Sequence, residues 1–164
     1  MAVSPEALVL VGRSSGMPPA GVPLLELALT ADERTRLRGL RHSRCGQSLL
    51  LQLPRSQPLQ PGEWLHAEAS PAGGLPWVQV VAAPEPLLVV RAADGLALLQ
   101  AAYHLGNRHV AMEIHAQELR LLNDPVLAHL LEHRGLSLTT IEAPFHPETG
   151  AYGHAHGHSH SHGH

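Results

Sequence analysis

The chain has 164 residues, which suits one domain or two small ones, and 44% of them are hydrophobic, so the protein can bury a core. Its formal charge is −3 with histidines neutral, and it lacks the basic stripe that a nucleic-acid-binding protein carries. No apolar run approaches the roughly 20 residues that cross a bilayer, and the start MAVSPEALVLVG lacks the basic residues of a signal peptide. We therefore expect a cytoplasmic protein with no nucleic-acid or membrane partner.

The first half of the chain consists of short apolar or alternating runs separated by segments rich in Gly, Pro and Ser. Such runs predict β-strands. Their regular spacing without a helical period predicts a small all-β domain, which we place at residues 1–83. The predicted strands lie within residues 7–11, 23–30, 47–54, 63–68 and 77–83.

A group of arginines lies in one strand-like stretch between two of these runs. Charged side chains at this spacing are typical of a solvated strand or a sheet edge. A docking surface for an acidic protein partner is the alternative. The residues are Arg34, Arg36, Arg38, Arg41 and Arg44.

The pattern changes after the APEP segment at residues 83–86. The remainder of the folded chain, which we place at residues 84–150, predicts strands and helices in the order βαββαβ, the ferredoxin-like arrangement. The predicted fold class is therefore α+β, with one face of the second sheet covered by helices and the other face open. The strands lie within residues 87–92, 110–117, 118–122 and 136–145.

Capping residues delimit the two predicted helices. Asp94 is a suitable N-cap for the first helix, and Gly106 stands where the left-handed residue after a helix belongs. Asp124 followed by Pro125 starts the second helix, and Gly135 ends it. Apolar residues at helical spacing predict the buried faces. These are Leu98, Ala101, Ala102 and Leu105 in the first helix and Val126, Leu127, Leu130 and Leu131 in the second.

Residues 110–115 alternate strictly between two sets of side chains. We expect the apolar set to face the helices and the other set, which includes Glu113 and His115, to face away. If the alternation extends back by one residue, His109 starts this strand and points to the open face of the sheet. The apolar set is Val110, Met112 and Ile114.

The chain ends in GHAHGHSHSHGH, where each histidine is separated from the next by one Gly, Ala or Ser. Such a segment cannot bury an apolar face, so we predict that residues 151–164 form a flexible, low-complexity tail. Imidazole suits Ni, Cu and Zn, and the tail therefore predicts metal binding. A purification tag is the alternative, but tags are usually homopolymeric. The tail ligands are His154, His156, His158, His160, His162 and His164.

The HLLEH segment, from His129 to His133, matches the H-x-x-E-H pattern of inverzincins, in which two histidines bind zinc and a Glu acts as base. The pattern needs a third ligand and a substrate cleft, for which a small βαββαβ domain leaves little room. We favour two histidines at the solvent edge over a zinc peptidase.

His104 is interpreted as a cation in the last turn of the first helix, where it complements the helix dipole.

Three segments in combination resemble the UreE family of urease accessory proteins, the nickel metallochaperones. They are AAYHLGNRHVAMEI, ELRLLNDPVL and PFHPETGAYG, the last of which runs into the His-rich tail. The first half resembles the family more loosely, through LALTADERTRLR and LQLPRSQPLQPGEWL. The GNRH element is specific in combination with PF-x-PE-x-GAY, and neither is specific alone.

The resemblance implies an N-terminal β domain that binds peptides and a ferredoxin-like domain that binds metal and forms homodimers. It implies that Ni(II) lies on the two-fold axis, held by the GNRH histidine of each subunit, which is His109 here. The tail histidines would add ligands or further sites. The resemblance also implies that the protein is not an enzyme, and that it hands nickel to the urease assembly machinery, chiefly the GTPase UreG acting on the urease apoprotein.

Some family members carry extra histidines just after ELR, and this chain does not, so we expect no auxiliary metal site there. His115 and His146 have no assigned role. Copper binds nitrogen ligands more tightly than nickel does, and zinc competes, so we expect Cu(II) and Zn(II) to bind in vitro. The alternative function is storage or buffering of divalent metals without a specific client. The positions after ELR are Leu121, Leu122, Asn123 and Pro125.

Overall fold

The computed structural model describes residues 6–68 and 74–149, and up to residue 83 it contains strands and one short 3-10 turn at Glu33–Thr35. Each of the five apolar runs predicted as strands contains one, so these predictions are confirmed. The strands are β1 (Leu8–Leu10), β2 (Gly12–Ser14), β3 (Leu24–Leu29), β4 (Arg38–His42), β5 (Ser48–Gln52), β6 (Trp64–His66) and β7 (Trp77–Ala82).

Two sheets share the core of this half. β1, β5 and β4 form one sheet in that order, and β2, β6, β7 and β3 form the other. The pairs β1–β5 and β3–β7 are parallel. The side chains of the core cluster are all Leu or Val, so the burial of aliphatic surface holds the two sheets together. They are Leu10, Leu27, Leu29, Leu49, Leu51, Leu53, Leu59, Leu65, Val78 and Val80.

The prediction of a solvated arginine strand is wrong for Arg34. This residue lies in the 3-10 turn, is 5% exposed, and donates hydrogen bonds to the carbonyl oxygens of Leu29 (3.3 Å) and Phe145 (2.6 Å). Burial lowers the pKa of Arg34, and the nearby carboxylate of Glu85 acts in the opposite direction. Only the later arginines lie on or beside β4, which is a sheet edge, where charged side chains are common.

The second half has the predicted βαββαβ element order. Its elements are β8 (Pro84–Arg91), α1 (Gly95–Asn107), β9 (Glu113–Ile114), β10 (Leu119–Leu122), α2 (Pro125–His133) and β11 (Ser137–Pro144). The strands form one antiparallel sheet in the order β11-β8-β10-β9. Buried residues of both helices join those of β8 and β10 in one core cluster, so both helices cover the same sheet face.

The caps place the helix boundaries as predicted, with one exception. The carboxylates of Asp94 and Asp124 each accept hydrogen bonds from backbone N–H groups of the first turn. Gly135 follows α2 with a left-handed φ of 80°. The prediction that Gly106 ends α1 is wrong, because the helix continues through it to Asn107.

The buried face of α1 is confirmed, since Leu98, Ala101 and Leu105 are all buried and Ala102 is partly buried against the same cluster. In α2, Leu131 is buried and Leu127 and Ala128 pack against the same core cluster, but Val126 is 73% exposed and lies outside this face. The prediction for Val126 is therefore wrong. Neither helix in the described part of the chain is both long and apolar enough to cross a membrane.

Hydrogen bonds join the two halves on either side of residue 83. At the boundary itself, the backbone N–H of Ala83, the last residue of the first half, donates to the carbonyl oxygen of Leu29 in the same half at 2.9 Å. The carboxylate of Glu85, which is 8% exposed, accepts from the backbone N–H of Ala31 at 2.9 Å. Together with the bond from Arg34 to Phe145, these contacts tie both the start and the end of the second half to the first.

Candidate metal site

His109, the histidine of the GNRH segment, lies in the turn that ends α1. The backbone N–H of Val110 donates to the carbonyl oxygen of Leu105 (3.1 Å), and the N–H of His109 donates to that of Gly106 (2.9 Å). These two bonds form a Schellman motif, in which the residue after the C-cap takes a left-handed conformation. His109 is that residue, with a φ of 56°, and no other non-glycine residue of the described ranges has a positive φ.

The end of α2 has the same motif with a glycine. Leu136 donates to Leu131 (3.2 Å) and Gly135 donates to Glu132 (2.9 Å) through the equivalent backbone groups. Glycine adopts the left-handed conformation without steric cost, whereas a residue with a Cβ loses roughly 1–2 kcal/mol there. His109 therefore occupies a position where glycine would give a more stable fold, and such an outlier points to a role for the imidazole itself.

The prediction that His109 starts a strand and faces the open side of the sheet is wrong. β9 begins only at Glu113. The backbone N–H groups of His109 and Val110 bond to the end of α1 in the Schellman motif and therefore do not pair in the sheet. His109 is instead exposed in the turn. The alternation beyond it also holds only in part: Met112 is buried, but Ile114 is 55% exposed.

Glu113 is buried, although its sequence pattern predicts a solvent-facing side chain. It lies opposite Arg120 in the sheet and is 6% exposed. Its Oε2 atom accepts a hydrogen bond from Nε2 of His115 at 2.8 Å, and its Oε1 atom accepts one from the backbone N–H of His146 at 2.6 Å. The solvent is thus replaced by two donors, which is what a buried carboxylate requires.

The pKa of Glu113 reflects these contacts. Burial raises it, but the hydrogen bonds from His115 and His146 and the charge of Arg120 together lower the pKa below its ordinary value. A carboxyl group whose pKa is lower in the folded state stabilises the fold above its unfolded-state pKa. That stabilisation is lost as the pH falls through the lowered value.

The segment after β11 passes to the β9 side of the sheet. Phe145 is 1% exposed, and further along the backbone N–H of Glu148 donates to the carbonyl oxygen of Met112 at 2.8 Å. Met112 follows His109 by three residues, a separation of at most about 11 Å at the maximum chain reach. The described residues end at Thr149, and the predicted tail ligands, His154 to His164, lie outside them.

The other histidines do not complete a metal site within residues 6–68 and 74–149, where no group of three or more His, Cys, Asp or Glu side chains is arranged to hold an ion. His129 and His133 are exposed on α2. His104 lies in the last turn of α1, as predicted, with its ring edge-on to Tyr103 at 5.6 Å between centroids.

α1 carries a surface stripe that the sequence analysis missed. Leu96, Leu99 and Tyr103 are 66%, 71% and 67% exposed, and their spacing of three and four residues puts them on one helix face. The signal in the sequence is a second apolar row at helical spacing, beside the row that predicts the buried face of α1. An apolar row that the core cannot also cover is exposed. Large apolar side chains in such a row mark an interaction surface.

Comparison with protein families matches both halves of the chain. Residues 11–71 match the N-terminal domain of the UreE urease accessory protein, and residues 85–164 match its C-terminal domain.

Curated relatives agree with this match. The chain is 59% identical over 131 residues to the Urease accessory protein UreE of Parasynechococcus marenigrum (strain WH8102), which covers 79% of this chain and 85% of the relative. It is 60% identical over 130 residues to that of Synechococcus sp. (strain WH7805), with coverages of 79% and 71%. It is 53% identical over 135 residues to that of Synechococcus sp. (strain CC9311), with coverages of 82% and 84%. The chain therefore belongs to the UreE family of urease accessory proteins, which are accessory chaperones and not enzymes.

Proposed function

We propose that the protein is a nickel metallochaperone whose ferredoxin-like half binds Ni(II) between two copies of the chain, through His109 and the tail histidines, and delivers it for urease assembly. Family membership gives the protein a role in urease maturation. The observation that carries the finer proposal is the left-handed backbone of an exposed histidine at the end of α1, where α2 has a glycine.

A homodimer makes one histidine sufficient for a paired site. In a two-fold interface the same surface meets itself, so His109 of one copy meets its mate. The stripe of Leu96, Leu99 and Tyr103 ends six residues before His109, and a second copy packed on it would bring the two turns close to one axis. Two imidazoles leave the other coordination positions of nickel to water or tail histidines, which can exchange, as a carrier requires.

The position of residues 146–148, here called the tail root, supports a joint site. His154 lies six residues beyond Glu148, a reach of roughly 20 Å, and the turn with His109 lies at most about 11 Å from the residue that Glu148 contacts. The first tail imidazole can therefore reach an ion bound at His109. A connection of this length also gives the tail histidines a high effective concentration there.

We expect a dimer in solution even without metal, and we expect Leu99→Glu to convert it to a monomer. The substitution places a charge in the centre of the exposed stripe, where a dimer would bury it without a partner. Light scattering at micromolar concentration measures the mass. Val126→Glu is the matched control, because Val126 is equally exposed but lies on α2. A dimer that persists in Leu99→Glu would place the interface elsewhere, and a monomeric wild-type protein with and without nickel would remove the shared site.

Delivery separates this proposal from metal storage, since both need the same ligands. A site of nitrogen ligands does not by itself select nickel over copper or zinc, so partner recognition, through the UreG-type GTPase and the urease apoprotein, directs the ion. We expect the nickel-loaded protein to activate apo-urease with its accessory proteins in the presence of a chelator that captures free nickel. Activation no better than that by a nickel salt, together with no binding to the GTPase, would favour the storage function.

A further inference from the structure

We propose that Glu113 is a positioning residue for the metal site: its buried carboxylate holds the root of the tail beside the turn that carries His109. This inference rests on the proposed function, because it assumes that the tail and His109 bind the same ion.

Two hydrogen bonds hold the tail root against the segment that follows His109. One joins Oε1 of Glu113 to the backbone N–H of His146 at 2.6 Å, and the other joins the carbonyl oxygen of Met112 to the N–H of Glu148 at 2.8 Å. The bond to Glu113 is charge-assisted, and such bonds are roughly twice as strong as neutral ones. We therefore expect the bond between the two backbone groups to depend on it.

The side chain of Glu113 is itself fixed in place. It is 6% exposed, and its second oxygen accepts the hydrogen bond from Nε2 of His115. Arg120, directly opposite on β10, contributes favourable charge. Its shortest hydrogen bond, at 2.6 Å, is to a residue 33 positions away in the chain, His146, close to the end of the described residues.

Without this anchor the tail would start further from His109. The preceding fixed residue is Phe145, whose carbonyl oxygen Arg34 holds. The number of residues from the last held position to His154 then rises from six to nine. Effective concentration falls with about the −3/2 power of linker length, which gives roughly a twofold loss.

The test compares Glu113→Ala in the full chain and in a chain that ends at Gly153. Nickel affinity of the tightest site is measured by competition with a chelator. We expect Glu113→Ala to weaken binding about twofold in the full chain and to leave the shortened chain unchanged. Glu118→Ala is the control, because Glu118 is also an ion-paired carboxylate, held by Arg91 and Arg120, but does not contact the tail root.

Glu113→Gln distinguishes positioning from direct metal binding. A glutamine retains an oxygen that accepts from the N–H of His146, so we expect it to restore the affinity of the full chain, whereas an amide would be a poor replacement for a carboxylate ligand.

Three results would overturn the inference: an equal loss in both chain lengths, which a purely structural role predicts; no loss in the full chain; or no rescue by Glu113→Gln. Failure of the proposed joint site has a different signature. There, shortening the wild-type chain would leave the affinity of the tightest site unchanged, before any substitution of Glu113.

Discussion

Substitution of His109 is expected to abolish the tightest nickel site of a chain that ends at Gly153. One substitution removes a ligand from each copy. The loss of nickel affinity should therefore exceed the roughly 10–100-fold that follows removal of a residue that hydrogen-bonds to a metal ligand. Calorimetric titration with nickel measures it. Binding to the wild-type chain should also weaken on acidification, because a metal binds only the neutral imidazole.

The choice of substitution makes this test independent of folding. In His109→Gly, the residue after α1 becomes the one that α2 already has at Gly135, and the left-handed backbone no longer conflicts with a Cβ. We expect its free energy of unfolding in urea to rise by roughly 1 kcal/mol while nickel binding is lost. Misfolding cannot explain a loss of binding that accompanies a gain in stability.

His129→Ala and His133→Ala are the matched controls for this experiment. Both histidines are exposed on α2, so their removal should leave the tight site unchanged. One nickel per dimer retained in His109→Gly would show that another histidine holds the ion, with His104 and His115 as the next candidates.

Deletion of residues 154–164 is expected to lower the number of nickel ions bound and to leave one per dimer, held more weakly than in the full chain. Six histidines per chain are removed, while the turn at the end of α1 is untouched. Equilibrium dialysis counts the ions. A chain with Ser at the six histidine positions is the control for length. If the shortened protein bound no nickel, the tail would be the only site, and the storage function would gain support.

Local sequence signals were enough to predict most elements of the fold. Asp94 and Asp124 cap their helices through bonds to residues two or three positions away, so the pattern that predicts them is contained in one turn. The strands of the first half and the βαββαβ order of the second follow from hydrophobic periodicity in the same way.

The geometry of His109 was not predictable from such signals. Glycine is the usual left-handed residue after a helix, so the sequence pattern predicts Gly106 at this position. The helix instead continues to Asn107, and the left-handed residue comes three positions after Gly106, because Val110 packs against the core beside Leu105 and so closes the Schellman motif around His109. The position of this turn is decided by tertiary packing, which overrides the preference for glycine.

Long-range contacts account for the other errors. Arg34 is buried because its guanidinium reaches the carbonyl oxygen of Phe145, 111 positions away. Glu113 is buried because the segment that carries His146 returns to it. Alternation within one strand carries no information about either contact, so a charged residue at such a position is predicted to face the solvent.

X-ray absorption at the nickel edge of the loaded chain that ends at Gly153 tests the central claim most directly, because it counts the imidazoles around the ion. A site shared by His109 of two copies predicts two imidazoles per nickel and one nickel per dimer, with the remaining ligands light oxygen atoms. One imidazole per nickel, or one nickel per chain, would contradict it.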